Sequence, residues 1–263
     1  MKFAIIPLAV ASLLSASAAP VIVAHRGASH DAPENTLPSF KLAWRKHADA
    51  IEGDFYLTDD GRIVCIHDKD TKRVAGKKLT ISESPLATLR TLDVGSWKGA
   101  RWKGTTAPTL DEVLACVPAG KRILIEVKCG PEIIPAMLRE IKASGLADDQ
   151  VTVIAFDADV IAALKKQTNA YQAYWLTSFK KRGSLNPGTD RILKTLKRIN
   201  ADGVSTKADP RITPQFVRAI KNAGYSYHVW TVDDASDAKR FETLGVDSIT
   251  TNRPAFIRNA LAR

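Results

Sequence analysis

Val21-Ile22-Val23-Ala24-His25-Arg26-Gly27 is apolar for four residues and then stops in a histidine, an arginine and a glycine. It reads as a barrel strand that delivers to its C-terminal rim an imidazole titrating near neutrality and a guanidinium suited to phosphate. Two later stretches belong with it, the carboxylate pair of Glu52-Gly53-Asp54 and the pair His67-Asp68.

Outward from that strand, Pro33-Glu34-Asn35-Thr36 opens an amphipathic helix with Leu37, Phe40, Leu42, Ala43 and Trp44 near helical spacing. Ala50 to Leu57 is the next strand, and positions i and i+2 share a face, so Glu52 and Asp54 point the same way. Thr58-Asp59-Asp60-Gly61 then carries an Asp-Gly hairpin signal. A parallel return would need a crossover of about a dozen residues or more. The chain has none there, so Ile63 to Ile66 must run antiparallel and bring His67 level with the carboxylates.

Asp70 to Pro108 lacks long periodicity and reads as a small insertion over the barrel mouth. Thr109-Leu110-Asp111-Glu112 is a capping box, which predicts a helix over Leu110 to Val117. Arg122 to Lys128 is a strand with Glu126 and Lys128 on one face. Strands and helices then alternate: helices over Ala158 to Gln167, after an Asp190 N-cap to Ile199, over Pro214 to Ala223, over Asp234 to Leu244, and from Pro254. Without the antiparallel return, strands begin at 21, 50, 122, 151, 171, 203, 225 and 247. The fold class is therefore α/β, a TIM-type (β/α)8 barrel with a small insertion after the second strand. The length of 263 residues is close to the ~250 typical of such barrels.

The N-terminus combines Lys2, an uncharged run from Phe3 to Leu14 and the small-residue site Ala16-Ser17-Ala18. This is the pattern of a secretory signal peptide over residues 1–18, leaving 19–263 as one barrel domain that is periplasmic or secreted. No other segment reaches the ~20 apolar residues of a membrane span, so no stable membrane anchor is expected. The formal charge is +10, which favours anionic substrates, yet no aromatic-interleaved basic stripe points to nucleic acid. Cys65, Cys116 and Cys129 match no metal spacing and read as small buried thiols in preference to a Cys65–Cys116 bridge.

Glu52, Asp54 and Glu126 end barrel strands on what should be one face, and three hard oxygens without soft ligands suit one divalent cation, Mg2+ or Ca2+. His25 and His67 reach the same rim and can divide the work of general base and general acid. Arg26 can fork onto phosphate oxygens, Lys128 can add a point charge, and Trp230 can wall a pocket. His228, alternating with Trp230 along its strand, reads as a satisfied lining residue.

His25-Arg26-Gly27, Pro33-Glu34-Asn35-Thr36, Glu52-x-Asp54, His67-Asp68, Glu126-x-Lys128 and Trp230-Thr231-Val232 resemble the glycerophosphodiester phosphodiesterase family in order and spacing. The resemblance implies metal-dependent hydrolysis of small glycerophosphodiesters to glycerol 3-phosphate and an alcohol. It assigns His25 and His67 as the catalytic pair, Glu52, Asp54 and Glu126 as metal ligands, and Arg26 and Lys128 as phosphate contacts. Asp233 departs from the family, which more often has Asn after Thr-Val, and this bears on substrate preference. A sphingomyelinase D type phospholipase would need an exposed apolar rim, for which Trp97 and Trp102 are the candidates. A non-catalytic phosphate-ester binder would not need a paired acid and base. An enolase-type barrel leaves His25-Arg26-Gly27 unexplained.

Overall fold

The computed structural model describes residues 19–180 and 182–262, so the expected signal peptide lies outside the described residues. Eight parallel strands close on themselves. In chain order the strands are β1 (Val21–Ala24), β2 (Ala50–Leu57), β3 (Ile63–Cys65), β4 (Arg122–Val127), β5 (Val151–Ala155), β6 (Gln172–Thr177), β7 (Gly203–Lys207), β8 (Ser226–Trp230) and β9 (Ser248–Thr251). Apart from β3 they pair in the circular order β1-β2-β4-β5-β6-β7-β8-β9, with β1 paired to both β2 and β9. β3 is the antiparallel return, Phe55 facing Cys65 and Leu57 facing Ile63. The hairpin closes through Thr58 N–H donating to Arg62 O at 2.8 Å, with Gly61 at φ 70° in the turn.

Alternation along the strands separates two cores. Ile22, Ile51, Ile123, Val153 and Val229 pack outward against the helices, whereas Val23, Ala50, Leu124, Ile154 and Leu176 fill the barrel. The first helix, Leu37–Arg45, starts where Thr36 Oγ1 accepts from Ser39 N, a cap of the kind worth about 1 kcal/mol. It buries Phe40 and Ala43 against the outer face of β1 and β2.

The insertion after β3 consists of short helical turns between Lys72 and Trp102 and has a hydrophobic cluster of its own, including Val74, Ile81, Leu86, Leu89 and Val94. Several boundaries differ from the sequence expectation. The helix after the capping box spans Leu110–Leu114, with Glu112 Oε2 accepting from Thr109 N as expected, but it stops four residues before Pro118. The helix placed after an Asp190 cap begins at Thr189 with Gly188 as its N-cap, and Asp190 sits in the first turn, where a carboxylate still complements the dipole. The sixth, eighth and ninth strands start one residue later than expected, at 172, 226 and 248, since Tyr171, Tyr225 and Asp247 still belong to the turns. A helix over Ile134–Ser144, not singled out in the sequence, covers the outside between β4 and β5. The three cysteines are free thiols. Among the described residues no helix is long and apolar enough to cross a membrane.

Candidate active site

All eight expected site residues meet at the C-terminal ends of the strands: His25, Arg26, Glu52, His67, Glu126, Lys128 and Trp230 line one cavity of about 150 Å³, and Asp54 lies buried beneath it. Register accounts for the carboxylates, because Asp54 on β2 is the direct partner of Glu126 on β4 and Glu52 lies two residues back on the same face of β2. Oxygens of Glu52, Asp54 and Glu126 all lie within 4.8 Å of one another, and all three residues are buried.

The turn after β1 is what aims the cations. Gly27 sits at φ 80°, and a Cβ there would overlap the side chain and backbone of Ser39. Arg26 is itself left-handed at φ 56°, a conformation unfavourable for a side chain with a Cβ. Three hydrogen bonds hold it: its N–H donates to Glu52 Oε2 at 2.8 Å, and its carbonyl accepts from Asn35 N at 3.1 Å and Ser39 Oγ at 3.0 Å. The guanidinium then donates to Glu34 at 2.9 Å and lies 3.2 Å from Asp54. Lys128 Nζ donates to Glu126 at 2.7 Å and lies 3.4 Å from Asp54.

Asn35 supports Asp54 from below. Its Nδ2 donates to Asp54 Oδ2 at 2.8 Å, and its Oδ1 accepts from Asp54 N at 3.1 Å. Burial opposes the charge on Asp54, but Arg26 and Lys128 override it and hold the carboxyl below its ordinary range. Glu52 and Glu126 lack that compensation. Burial and the neighbouring carboxylates push Glu52 well up and Glu126 up to about 7. Glu52 Oε1 is buried and accepts no hydrogen bond among the described residues. Three buried carboxylates face two cations here, with one oxygen unpartnered, a donor set that fits a hard divalent ion.

The two histidines are held differently. His25 Nδ1 lies 2.8 Å from Asn252 Oδ1, and the Asn252 amide is oriented by Asp233, whose Oδ2 accepts from Asn252 Nδ2 at 2.5 Å. Asp233 Oδ1 also accepts from Asn252 N at 2.7 Å and Thr251 Oγ1 at 2.9 Å. The amide oxygen therefore faces His25, so Nδ1 must be the donor and Nε2 is left with its lone pair. Burial and the adjacent Arg26 push His25 down to about 4, which keeps it neutral near pH 7. His67 Nδ1 instead faces a carboxylate, Asp68 Oδ1, at 2.7 Å. Asp68 is bridged by Arg73 to Glu34, which returns to Arg26, so one chain of ion pairs joins the two halves of the site.

Asn35, Asn252, Asp233, Glu34 and Arg73 were not singled out for these roles in the sequence. Phe156, just past β5, was also missed; it is exposed and meets Trp230 edge to face at 5.5 Å. His228 lies inside the barrel as expected, stacked on Tyr174 at 4.1 Å and bonded through Nδ1 to Ser248 Oγ at 2.8 Å, but it is not fully satisfied, because its Nε2 is buried with no hydrogen-bond partner among the described residues. Trp97 is exposed, whereas Trp102 is half-buried.

The profile of the glycerophosphoryl diester phosphodiesterase family matches residues 25–256. A glycerophosphodiester phosphodiesterase of Caldanaerobacter subterraneus is 28% identical, the alignment covering 92% of this chain and 98% of that one. Another from Bacillus subtilis is 29% identical over 88% of this chain and 83% of its own. Among solved structures, a phosphodiesterase of Oleispira antarctica in complex with the product sn-glycerol-3-phosphate superposes with a TM-score of 0.84 at 28% identity, covering 93% of this chain and 98% of that one. A barrel with this rim, matched across nearly its whole described length, settles the assignment: the chain belongs to the glycerophosphoryl diester phosphodiesterase family of phosphoric diester hydrolases.

Proposed function

We propose that the protein hydrolyses glycerophosphodiesters to glycerol 3-phosphate and an alcohol, with His25 as general base and His67 as general acid. The observation that carries the division of labour is the fixed Asp233–Asn252–His25 chain, which leaves His25 Nε2 as an acceptor at the cavity.

Arg26, Lys128, Phe156 and Trp230 line one cavity, and in this reading the phosphoryl group lies between the two cations with the glycerol half against the two rings. A divalent cation, Mg2+ or Ca2+, held by Glu52, Asp54 and Glu126 would supply positive charge opposite the phosphoryl oxygens as negative charge builds up there. Arg26 adds a planar pair of donors, which Glu34 and Asp54 keep turned into the cavity. His25 takes a proton from the attacking oxygen, that of water or of the neighbouring glycerol hydroxyl. As that oxygen bonds to phosphorus, the bond to the alcohol breaks, its electron pair stays on the alcohol oxygen, and His67 gives that oxygen a proton. Solvent proton exchange restores both rings; if the glycerol hydroxyl attacks first, water opens the cyclic product by the same steps in reverse.

Turnover of a panel of glycerophosphodiesters by the purified protein, with cations added back after chelation, tests this reading; release of glycerol 3-phosphate supports it, and no release under any cation contradicts it. The N-terminal 18 residues support export to the periplasm or medium, with the mature chain beginning at Ala19. Intact-mass measurement of the exported protein checks this, and a retained Met1 would contradict it.

A further inference from the structure

His67 and Lys128 face two cavities. One is the catalytic cavity; the other is an open cleft of about 810 Å³ that shares His67 and Lys128 with it and is lined also by Tyr56, Asp68, Lys69, Asp70, Lys72 and Arg73. The group that protonates the departing oxygen must stand beside it, so the alcohol half of the substrate extends past His67 into this cleft. The charges around it are unequal. Arg73 is taken up by Glu34 and Asp68, and Lys128 by Asp54 and Glu126. Lys69 and Lys72 are exposed and have no carboxylate within 4.0 Å among the described residues. Against them stands Asp70, with one oxygen accepting from Lys72 N at 3.0 Å. Among the described residues Tyr56 is the one Phe, Tyr or Trp in the lining, which offers no cage of such rings to hold a quaternary ammonium.

We infer that this cleft is a leaving-group subsite for alcohols that carry a negative charge, Lys69 and Lys72 being its recognition groups. The inference rests on the hydrolytic reading above and on His67 as the acid. A preferred substrate is then a glycerophosphodiester whose alcohol bears a second phosphate or phosphodiester, and a choline ester is a poor one. Neither lysine touches the reacting atoms, so both act on capture of the alcohol half and not on the chemical step.

Three substrates that differ in the charge of the leaving alcohol test this: 1,3-bis(sn-glycero-3-phospho)glycerol, glycerophosphoglycerol and glycerophosphocholine. The expected order of kcat/KM is anionic, then neutral, then cationic. Lys69→Ala/Lys72→Ala should lower the anionic substrate about tenfold, the scale of two exposed ion contacts, leave the neutral one unchanged, and narrow the gap to choline. Raising salt should erode the wild-type preference in the same way, because exposed charges are screened. Equal rates on all three, a choline preference, or a double variant that loses rate equally on all three would each overturn the subsite while leaving hydrolysis standing. Absence of turnover on every substrate would overturn the hydrolytic reading and the subsite with it.

Discussion

Asn252 Oδ1 lies 2.8 Å from His25 Nδ1 although the two residues are 227 positions apart, and the contact exists because β9 and β1 are neighbours in the closed sheet. Closure of the barrel thus sets the tautomer of a catalytic candidate. Asp233, at the end of the adjoining β8 turn, fixes which end of the amide faces the ring.

Removing the amide should release that tautomer. Asn252→Ala is expected to lower kcat by about ten- to a hundredfold with KM little changed, since the ring loses orientation and not substrate contacts. The 15N resonances of His25 should change from one tautomer to a mixture. An unchanged His25 spectrum in Asn252→Ala would show that the amide only packs.

The carboxylate triad makes a second expectation. Chelation should abolish turnover, and Mg2+ or Ca2+ should restore it. Glu52→Gln should weaken cation binding in calorimetry as well as the rate. Because Glu126 is pushed up to about 7 in the cation-free protein, binding must displace a proton from it below that pH, so affinity should fall as pH drops through 7. Full activity in excess EDTA would contradict the triad's role.

The origin of the site was unequally legible in the sequence. Residues that stand two apart on a strand, such as Glu52 with Asp54 and Glu126 with Lys128, follow from the pleat alone, and the antiparallel return to His67 follows from the short Asp-Gly connection. The supports do not follow. Asn252 beyond β9 and Asn35 before a helix both read as ordinary turn or cap residues, because what they bond lies on another strand. Arg73 sits in a segment with no periodicity, and its position becomes meaningful only when the insertion folds back onto Glu34. Asp233 was visible as a departure from the family, and the structure connects it to the orientation of His25 through Asn252. The Asp190 boundary failed because a carboxylate is favourable both at an N-cap and in the first turn.

His228 gives a stability expectation. Burial pushes its pKa down to about 4, so between pH 4 and 6.5 the unfolded chain binds a proton that the folded protein refuses, and stability must fall as pH drops through that window. The effect is about 1.4 kcal/mol per pH unit at most for this one group. His25 acts in the same sense, while the raised Glu52 and Glu126 act oppositely over an overlapping range, so the useful quantity is a difference. The stability gap between wild type and His228→Gln in urea should shrink as pH falls from 7 to 4.5. A gap constant with pH would mean that His228 is not buried neutral.

The division of labour between the two histidines is tested most directly by changing how much the leaving group needs a proton. Alkoxides such as that of glycerol leave poorly without an acid, whereas p-nitrophenolate is a weak base and leaves nearly unaided. On glycerophosphoglycerol, His25→Ala and His67→Ala should each lose ~10^2- to 10^4-fold in kcat/KM, the range of a positioned acid or base. On the p-nitrophenyl ester of glycerol 3-phosphate, His67→Ala should recover most of its rate while His25→Ala stays impaired. The opposite pattern, or equal losses of both variants on both esters, would contradict the assignment of His67 as acid and His25 as base.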